Sequence, residues 1–396
     1  MSRERRGPPA DATDRPLKIL HVIPTLGIGG TERQLVDLLP RMDARRYHQT
    51  VCHYTPCDSL EERLHAAGIR TVFVPKTAMP AWRFLSRLRA VVRETRPDVV
   101  HTWLYSGNFW GRVAAVTCGV RRLVASDRGM ALPAGWPVVL YERLLAPFTL
   151  RLVNSHAAAG SVVRHYGLPS DRIRVIRNAV GPLPPVPPDA RERIRAVLGL
   201  PVTERLVLLV GRQSVEKNHA MFFRVARRVA AARPGVTFVA VGRLFERDAM
   251  LRRLEESGGA AHVRIVDQQP DVASWLAAAD LFCMTSDREG LPNALLEAMA
   301  MGLPVVCTAF ESVREVVARE DVGVIVPRDD DAAMAAAVLG LLDDPARCRA
   351  LGGAARAHVV SNFGWERLIR DMEALYGEID PRAARGRAPT EAPGTT

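Results

Sequence analysis

Two glutamates with seven residues between them mark the stretch TSDREGLPNALLEAMAMGLPVVCT, Thr285 to Thr308. Glu289 lies in a loop that follows a short apolar run, and Glu297 lies on a predicted helix, one turn after Asn293. Carboxylates accept hydrogen bonds from hydroxyl groups, and free N–H groups at a helix N-terminus bind phosphate or further hydroxyls. The stretch therefore predicts a site for a ligand rich in hydroxyl and phosphate groups.

A second candidate segment, GRQSVEKNH, spans residues 211–219 and also follows an apolar run. Its two cations, Arg212 and Lys217, suit a phosphate, because fixed positive charge stabilises the negative charge of a leaving group. Lysine is scarce in this chain, since 51 of the 54 basic residues are arginine. A lysine in this loop therefore favours a phosphate-binding role over a solvated charged loop, which is the structural alternative.

A glycine-rich turn, GIGGTE, follows the first apolar run. It lacks the Gly-x-Gly-x-x-Gly order of a dinucleotide site. Gly29 and Gly30 would let the backbone approach a ligand closely, and a purely structural tight turn is the alternative.

Together these segments resemble the signature of retaining GT-B glycosyltransferases, specifically glycosyltransferase family 4. The resemblance covers about residues 17–379. It implies an α/β protein with the GT-B fold, in which two Rossmann-like domains face each other across a cleft. It also implies a nucleotide-diphosphate sugar as co-substrate, with no cofactor and no metal ion.

The resemblance assigns roles to individual residues. Arg212 and Lys217 would bind the donor diphosphate, Glu289 would contact the donor sugar, and Glu297 would bind the ribose hydroxyls. The donor-binding residues that it implies are Gly29, Gly30, Arg212, Lys217, Glu289, Gly290, Leu291, Asn293 and Glu297. The candidate catalytic residues are Glu289, Arg212, Lys217, Arg128 and His101.

Arg128 marks a departure from the family pattern. Many members carry a histidine after the fifth strand of the first domain, where this chain has Ser126-Asp127-Arg128. This resembles a subgroup with Ser-x-Arg at that place. His101, at the end of the preceding strand, is the nearest alternative, although a strand-end histidine that is bonded to the backbone is the simpler interpretation of it.

The elements that would position these residues follow from an alternation of short apolar runs with helical patterns, which predicts parallel sheets. The proline-rich segment AVGPLPPVPPDA, residues 179–190, predicts a linker. The composition predicts disordered tails at residues 1–16 and 381–396. Between them, the family resemblance implies an acceptor-binding domain (17–182), a donor-binding domain (183–365) and a helix that crosses back to the first domain (366–380).

Strand candidates occur in both domains. In the first domain they are Leu17–Thr25, Gln49–Thr55, Ile69–Pro75, Asp98–Trp103, Leu123–Ser126, Leu150–Ser155 and Ile173–Asn178. In the second domain they are Arg205–Val210, Val236–Val241, Val263–Val266, Leu281–Ser286, Pro304–Thr308 and Gly323–Pro327. Predicted helices in the first domain include Leu60–Ala67, Trp82–Thr95, Phe109–Cys118 and His156–Tyr166.

The net charge of +11 is unevenly distributed. Residues 17–182 carry 23 basic and 11 acidic side chains, a net charge of +12, whereas residues 183–380 carry 24 and 28, a net charge of −4. A basic first domain favours contact with anionic lipid or with a phosphorylated acceptor. Arg83, Arg87 and Arg93 lie on one predicted helix, which either rests on a membrane surface or simply covers a sheet.

No apolar run reaches the ~18 residues that span a bilayer, and no apolar segment follows the N-terminal arginines. The six cysteines lack metal-ligand spacing and favour a reducing compartment. We therefore expect a cytoplasmic protein with peripheral contact at the inner, anionic face of the cytoplasmic membrane.

These observations predict a metal-independent, retaining glycosyltransferase of cell-surface glycan biosynthesis, with a lipid-linked or polysaccharide acceptor and no nucleic-acid partner. A nucleotide-sugar-binding protein without turnover is one alternative. A GT-B epimerase or phosphorylase is another. Two Rossmann-like domains would also suit an oxidoreductase, but no dinucleotide fingerprint supports that activity.

Overall fold

A computed structural model of the chain describes residues 15–56, 60–77, 79–131, 133–181, 186–201 and 203–380. In this described part, thirteen strands form two parallel sheets, and fifteen α-helices pack on them. The predicted α/β architecture of two Rossmann-like domains is confirmed.

The first sheet has the strand order β3-β2-β1-β4-β5-β6-β7. Its strands are β1 (Leu17–Val22), β2 (Tyr47–His53), β3 (Arg70–Phe73), β4 (Val99–Trp103), β5 (Leu123–Asp127), β6 (Thr149–Val153) and β7 (Ile173–Val175). The helices between them are α1 (Gly30–Leu38), α2 (Glu61–Ala66), α3 (Ala81–Thr95), α4 (Leu104–Thr117), α5 (Trp136–Leu145) and α6 (His156–Tyr166).

The second sheet has the order β10-β9-β8-β11-β12-β13. Its strands are β8 (Arg205–Val210), β9 (Val236–Val241), β10 (Val263–Val266), β11 (Leu281–Met284), β12 (Val305–Thr308) and β13 (Val324–Val326). Its helices are α7 (Ala190–Leu198), α8 (His219–Ala232), α9 (Arg247–Glu256), α10 (Val272–Ala278), α11 (Asn293–Ala300), α12 (Val313–Val316), α13 (Asp331–Leu342) and α14 (Pro345–Asn362). The last helix of the described residues is α15 (Trp365–Ile379).

Each sheet reverses its strand order once, between β1 and β4 in the first sheet and between β8 and β11 in the second. Loops that leave the carboxyl ends of these neighbouring strands diverge, and α/β sheets bind ligands in the crevice between them. The glycine turn follows β1, the Arg212–Lys217 segment follows β8, and the Glu289 loop follows β11. The topology therefore brings the predicted donor residues to the two reversal points.

Strand β1 shows how the first domain is packed. Successive residues of a strand point to opposite faces of its sheet. Ile19 belongs to the core beneath α15, together with Leu368 and Met372. Leu20 belongs to the core on the opposite face, beneath α3 and α4. Because both faces are covered, apolar residues stand next to each other in β1, as at Ile19 and Leu20, rather than alternating with polar ones.

Helix α15 packs on the first sheet, although it follows the second domain in the chain. Its buried residues Leu368, Met372, Leu375 and Tyr376 share a core with β1. Burying four large side chains against the first domain holds α15 there.

The predicted linker is folded at its start. Ala179 exchanges two hydrogen bonds with the side chain of Gln34, and the N–H of Val180 donates to the carbonyl of Phe363. Both residues are buried, so the start of the predicted linker is packed against the protein rather than solvated. Residues 182–185 lie outside the described part.

Two further predictions fall largely outside the described residues. The predicted disordered tails include residues 1–14 and 381–396, which are not described. Arg15, at the end of the first tail, donates from both terminal nitrogens to the Asp98 carboxylate at 2.7 Å. That part of the tail is therefore attached to the first domain.

Candidate active site

The loops after β8 and β11 bring Lys217 and Glu289 into contact. Lys217 Nζ lies 2.6 Å from Glu289 Oε1, and Ser286 Oγ donates to the same oxygen at 2.9 Å. The Lys217 and Glu289 side chains are 17% and 16% exposed, so both are accessible from the cleft. A cation and a carboxylate held side by side can bind the phosphate and the sugar hydroxyls of a single ligand.

Arg212 lies in the same loop as Lys217 and is exposed. Arg212 interacts electrostatically with Glu32, in the first turn of α1. Burial raises the pKa of Glu32, and the positive charge of Arg212 opposes that increase. Gly29, the N-cap of α1, has no side chain to block the Glu32 carboxylate, which lies against it. The structure thus places Arg212 across the cleft from the glycine turn.

The glycine turn of the first domain contacts the second domain directly. We call residues 287–293, which follow β11 and end at the first residue of α11, the donor loop. Asn293 Nδ2 donates to the carbonyl oxygen of Gly30 at 2.8 Å, and the amide of Gln268 donates to the carbonyl of Ile28. A Cβ atom at residue 30 would lie 2.9 Å from Asn293 Nδ2. The absence of a side chain at Gly30 therefore permits a contact between the two domains.

Gly290 permits an even closer approach. A Cβ atom there would lie 2.6 Å from Asn154 Oδ1, 2.9 Å from Gly129 Cα and 3.0 Å from the carbonyl oxygen of Arg128. All three neighbours belong to the first domain and two of them are backbone atoms, which cannot move aside as a flexible side chain can. Glycine at this position is thus explained by domain closure, besides any contact of its N–H group with a sugar.

Glu297 also lies where the domains meet. Its carboxylate, 20% exposed, is 4.0 Å from the guanidinium of Arg33 on α1. Burial raises the pKa of Glu297, and Arg33 counteracts the increase. The carboxylate projects from the same helix as Asn293, as the spacing predicts, and its role towards a ribose remains a prediction.

Two side chains of the first domain, Trp103 and Asn178, hold Arg128. Its guanidinium carbon lies 4.8 Å from the centre of the Trp103 ring, and its NH1 donates to Asn178 Oδ1 at 3.0 Å. Asn178 Nδ2 in turn donates to the Leu291 carbonyl at 3.1 Å and to Asn293 Oδ1 at 2.6 Å. The side-chain amide of Asn178 therefore connects Arg128 to the donor loop. Its oxygen and both of its N–H groups take part in hydrogen bonds.

His101 lies beneath the cleft rather than at its surface. It is fully buried, its Nδ1 lies 2.7 Å from the hydroxyl of Tyr376, and its Nε2 lies 2.7 Å from Ser126 Oγ. Burial lowers the pKa of His101 well below its ordinary value. Since the ring is buried and both nitrogens lie against side-chain hydroxyls, this geometry favours a supporting role for His101, and its catalytic role stays a prediction. His101 also stacks on Trp103, with ring centres 4.3 Å apart.

Three residues of this arrangement are absent from the sequence prediction: Trp103, Asn178 and Tyr376. Trp103 ends β4, and its ring contacts both the Arg128 guanidinium and the His101 ring. The strand-end position of Trp103 in DVVHTW was a usable signal, because ligand sites lie at the carboxyl ends of strands. Nothing in the local sequence indicates that Tyr376 contacts His101, 275 residues away.

No group of three or more His, Cys, Asp or Glu side chains within the described ranges is arranged to hold a metal ion. Across the same residues, no helix has both the length and the apolar composition needed to cross a membrane.

Comparisons with known proteins show which family the chain resembles. The family model described as Glycosyltransferase Family 4 matches residues 28–182, and the model described as Glycosyl transferases group 1 matches residues 190–358. A D-inositol 3-phosphate glycosyltransferase of Xylanimonas cellulosilytica is 30% identical over 307 residues, which cover 72% of this chain and 73% of that protein.

Two further proteins are similar over most of the chain. The GDP-mannose-dependent alpha-(1-6)-phosphatidylinositol monomannoside mannosyltransferase of Mycolicibacterium smegmatis is 29% identical, over 83% of this chain and 89% of that protein. The crystal structure of Anabaena HepE in complex with UDP and glucose has a TM-score of 0.81 at 19% identity, covering 91% of this chain and 100% of that one. The chain therefore belongs to glycosyltransferase family 4 and is a glycosyltransferase with the GT-B fold.

Proposed function

We propose that this chain is a metal-independent, retaining glycosyltransferase that moves a sugar from a nucleotide-diphosphate sugar to a lipid-linked or polysaccharide acceptor. The acceptor would lie at the inner face of the cytoplasmic membrane, and the product would enter cell-surface glycan biosynthesis. The observation that carries the proposal is the Lys217–Glu289 pair, 2.6 Å apart, with Arg212 in the same loop.

The leaving group explains the two cations. When the bond between the anomeric carbon and the phosphate oxygen breaks, negative charge grows on the nucleoside diphosphate. Arg212 and Lys217 would stabilise that charge from fixed positions, as a metal ion does in other transferases. Backbone N–H groups of the turn at Gly29 and Gly30 would face the same phosphates.

Retention then requires no protein nucleophile. The acceptor hydroxyl attacks the anomeric carbon on the face that the phosphate is leaving, and its proton passes to the departing phosphate oxygen. One carbon–oxygen bond breaks and one forms, and the configuration is kept. Glu289 would accept hydrogen bonds from donor-sugar hydroxyls, and Arg128 would remain a charged group on the opposite side of the cleft.

The net charge of the first domain supports an anionic acceptor. Residues 17–182 carry +12, and the M. smegmatis relative is named for a phosphatidylinositol mannoside acceptor. A small phosphorylated cyclitol is a second candidate, because the Xylanimonas relative is named for D-inositol 3-phosphate. Both acceptors carry a phosphate, which a basic domain would attract.

A donor screen followed by a transfer assay tests the proposal. Thermal shifts with UDP-, GDP- and ADP-sugars should single out one nucleotide, since a ligand at 100 times its Kd adds ~2.7 kcal/mol of stability. The selected donor should then give transfer to a phosphoinositol lipid in vesicles or to free D-inositol 3-phosphate, in the presence of excess chelator. Stabilisation by none of these donors, or a product that is a free epimerised nucleotide sugar, would contradict the proposal.

A further inference from the structure

Glu315 joins the two domains at a point away from the Lys217–Glu289 pair. Its Oε2 accepts a hydrogen bond from the N–H of His156 at 3.0 Å, and its Oε1 accepts one from the N–H of Ala157 at 3.0 Å. His156 and Ala157 are the first two residues of α6 in the first domain, whereas Glu315 lies on α12 in the second. Both oxygens of one second-domain carboxylate therefore accept hydrogen bonds from the first domain.

Helix α6 lacks a carboxylate of its own at this end. Its first turn contains no acidic residue, and its N-cap Ser155 satisfies only the N–H of Ala158, at 3.0 Å. The first N–H groups of a helix have no partner within the helix, and the positive end of the helix dipole favours a negative charge. Glu315 supplies both the two missing acceptors and the charge, but only when the domains are closed.

The position of Glu315 is linked to the donor site. Helix α12 is anchored by Val313 and Val316, which are buried in the core of the second domain. Ser312, immediately before α12, donates from its Oγ to the carbonyl oxygen of Glu289 at 3.0 Å. A rigid segment of four residues thus connects the contact with α6 to the main chain of the residue that pairs with Lys217.

We infer that Glu315 is a positioning residue, which couples closure of the two domains to the placement of Glu289. Contact with α6 holds the segment from Ser312 to Glu315 in one place, and Ser312 holds the Glu289 carbonyl. The inference relies on the geometry of the closed chain and on glycosyltransferase activity. It does not depend on which donor or acceptor is used.

Amide hydrogen exchange of the full-length chain tests the contact without any ligand. In E315A, the amides of His156 and Ala157 should exchange at least about ten-fold faster than in the wild type, because two hydrogen bonds to a charged group are lost. The amide of Ala158 should keep its protection, since Ser155 still caps it. E315Q keeps one acceptor oxygen and should show an intermediate effect.

Glu311 provides the matched control. It is an exposed glutamate four residues earlier, and its carboxylate lies 3.5 Å from Arg328 rather than at the first domain. E311A should leave all three amides unchanged. Equal protection of His156 and Ala157 in E315A and wild type would overturn the contact, and so would equal loss of protection at Ala158, which would indicate general fraying of α6.

Steady-state kinetics with UDP-glucose, GDP-mannose or ADP-glucose, whichever supports turnover, tests the coupling. E315A should lower kcat about ten-fold, with partial rescue in E315Q and no effect in E311A. S312A should lower kcat while the amides of His156 and Ala157 stay protected, because it breaks the link beyond the contact. Wild-type kcat in E315A, with its two amides exposed, would show that closure by Glu315 does not position Glu289.

Discussion

The second domain brings accessible charged side chains to the cleft, whereas the first domain brings a buried network of mostly uncharged groups. Arg212 is exposed, and Lys217 and Glu289 are partly exposed. On the other side, His101 and Ser126 are fully buried and bonded to each other. Groups that must bind a charged ligand need free hydrogen-bonding capacity, whereas groups that hold a ligand-binding side chain in place need to be satisfied.

This difference indicates a division of labour. In the proposed mechanism the second domain would supply the charges that stabilise a leaving group, and the first domain would supply a support for Arg128, built from Trp103 and His101. We therefore expect substitutions in the second domain to reduce catalysis without affecting stability, and substitutions beneath Arg128 to reduce stability more than catalysis.

The largest effect is expected from R212A and K217A. Removing one fixed donor that stabilises transition-state charge costs ~3–4 kcal/mol, about a 10²- to 10³-fold fall in kcat. Melting temperatures should stay close to the wild type, because both side chains are accessible. R319A is a suitable control, since Arg319 is an exposed arginine of the same domain that pairs with Asp321. Wild-type turnover in either variant would remove these residues from the proposed mechanism.

A somewhat smaller effect is expected from G290A. The added Cβ would meet the backbone of Gly129 and Arg128, so overpacking by ~1–3 kcal/mol should disfavour closure and lower kcat/KM about ten- to hundred-fold. G30A should be milder, because its Cβ would meet only the end of the Asn293 side chain. G340A on α13, where a Cβ meets nothing within 4 Å, serves as the control. Normal kinetics in G290A would mean that the closed contact is not required for turnover.

H101Q should reduce the stability of the protein more than its turnover. Leaving the partners of a buried side chain incompletely bonded costs ~1–3 kcal/mol of unfolding free energy. Turnover should fall only a few-fold, since we assign His101 a supporting role. A fall in kcat of more than about 100-fold with unchanged stability would return His101 to the catalytic residues.

Low pH should destabilise the folded protein, because other histidines are buried in the way that His101 is. Burial lowers the pKa of His21 to about 3 and that of His219 to about 4, against an ordinary value of 6.5. Below pH 6.5 the unfolded chain binds protons that the folded chain does not, so stability is lost as the pH falls from 6.5 towards 4. Each histidine contributes up to about 1.4 kcal/mol per pH unit. Urea titrations at several pH values measure how the free energy of unfolding changes with pH. From this slope follows the number of protons taken up on unfolding, which should be smaller by about one in H101Q.

The smallest effect per residue is expected at the membrane. In α3, Phe84, Leu88, Val91 and Val92 are buried against the sheet, so one face of this helix covers the first domain. Three of its four arginines, Arg83, Arg87 and Arg93, are exposed. Each arginine near an anionic surface adds ~1 kcal/mol at most.

Replacing Arg83, Arg87 and Arg93 together should weaken binding to anionic vesicles at low salt. The control replaces three exposed arginines of the second domain, Arg252, Arg264 and Arg349. Equal loss in both triple variants, or equal binding to neutral vesicles, would contradict a basic membrane-facing first domain.

The sequence predicted the strands of the second sheet well, and three of them, β8 to β10, have the predicted bounds. Strands that are buried on both faces are continuous apolar runs, which are easy to recognise. Helix α5 escaped prediction because Trp136, Leu140 and Leu144 form an exposed apolar stripe, so the helix lacks the usual contrast between an inner and an outer face.

The two charged loops that meet at Lys217 and Glu289 were also recognisable in the sequence, because charged residues in loops after strands are conspicuous. The support beneath Arg128 was not. Asn178 contacts Asn293 across 115 residues, and Tyr376 contacts His101 across 275. Such pairs depend on the packing of two domains and a returning helix, and a local pattern contains no trace of them.

The central claim is metal-independent transfer with retention, driven by Arg212 and Lys217. It is tested most directly by proton NMR of the product formed in excess chelator, using the α-configured nucleotide sugar that the donor screen identifies. We predict an α-linked product from the first turnovers, at the same rate with and without chelator. A β-linked product, or activity that chelator abolishes and added Mg²⁺ or Mn²⁺ restores, would contradict the mechanism.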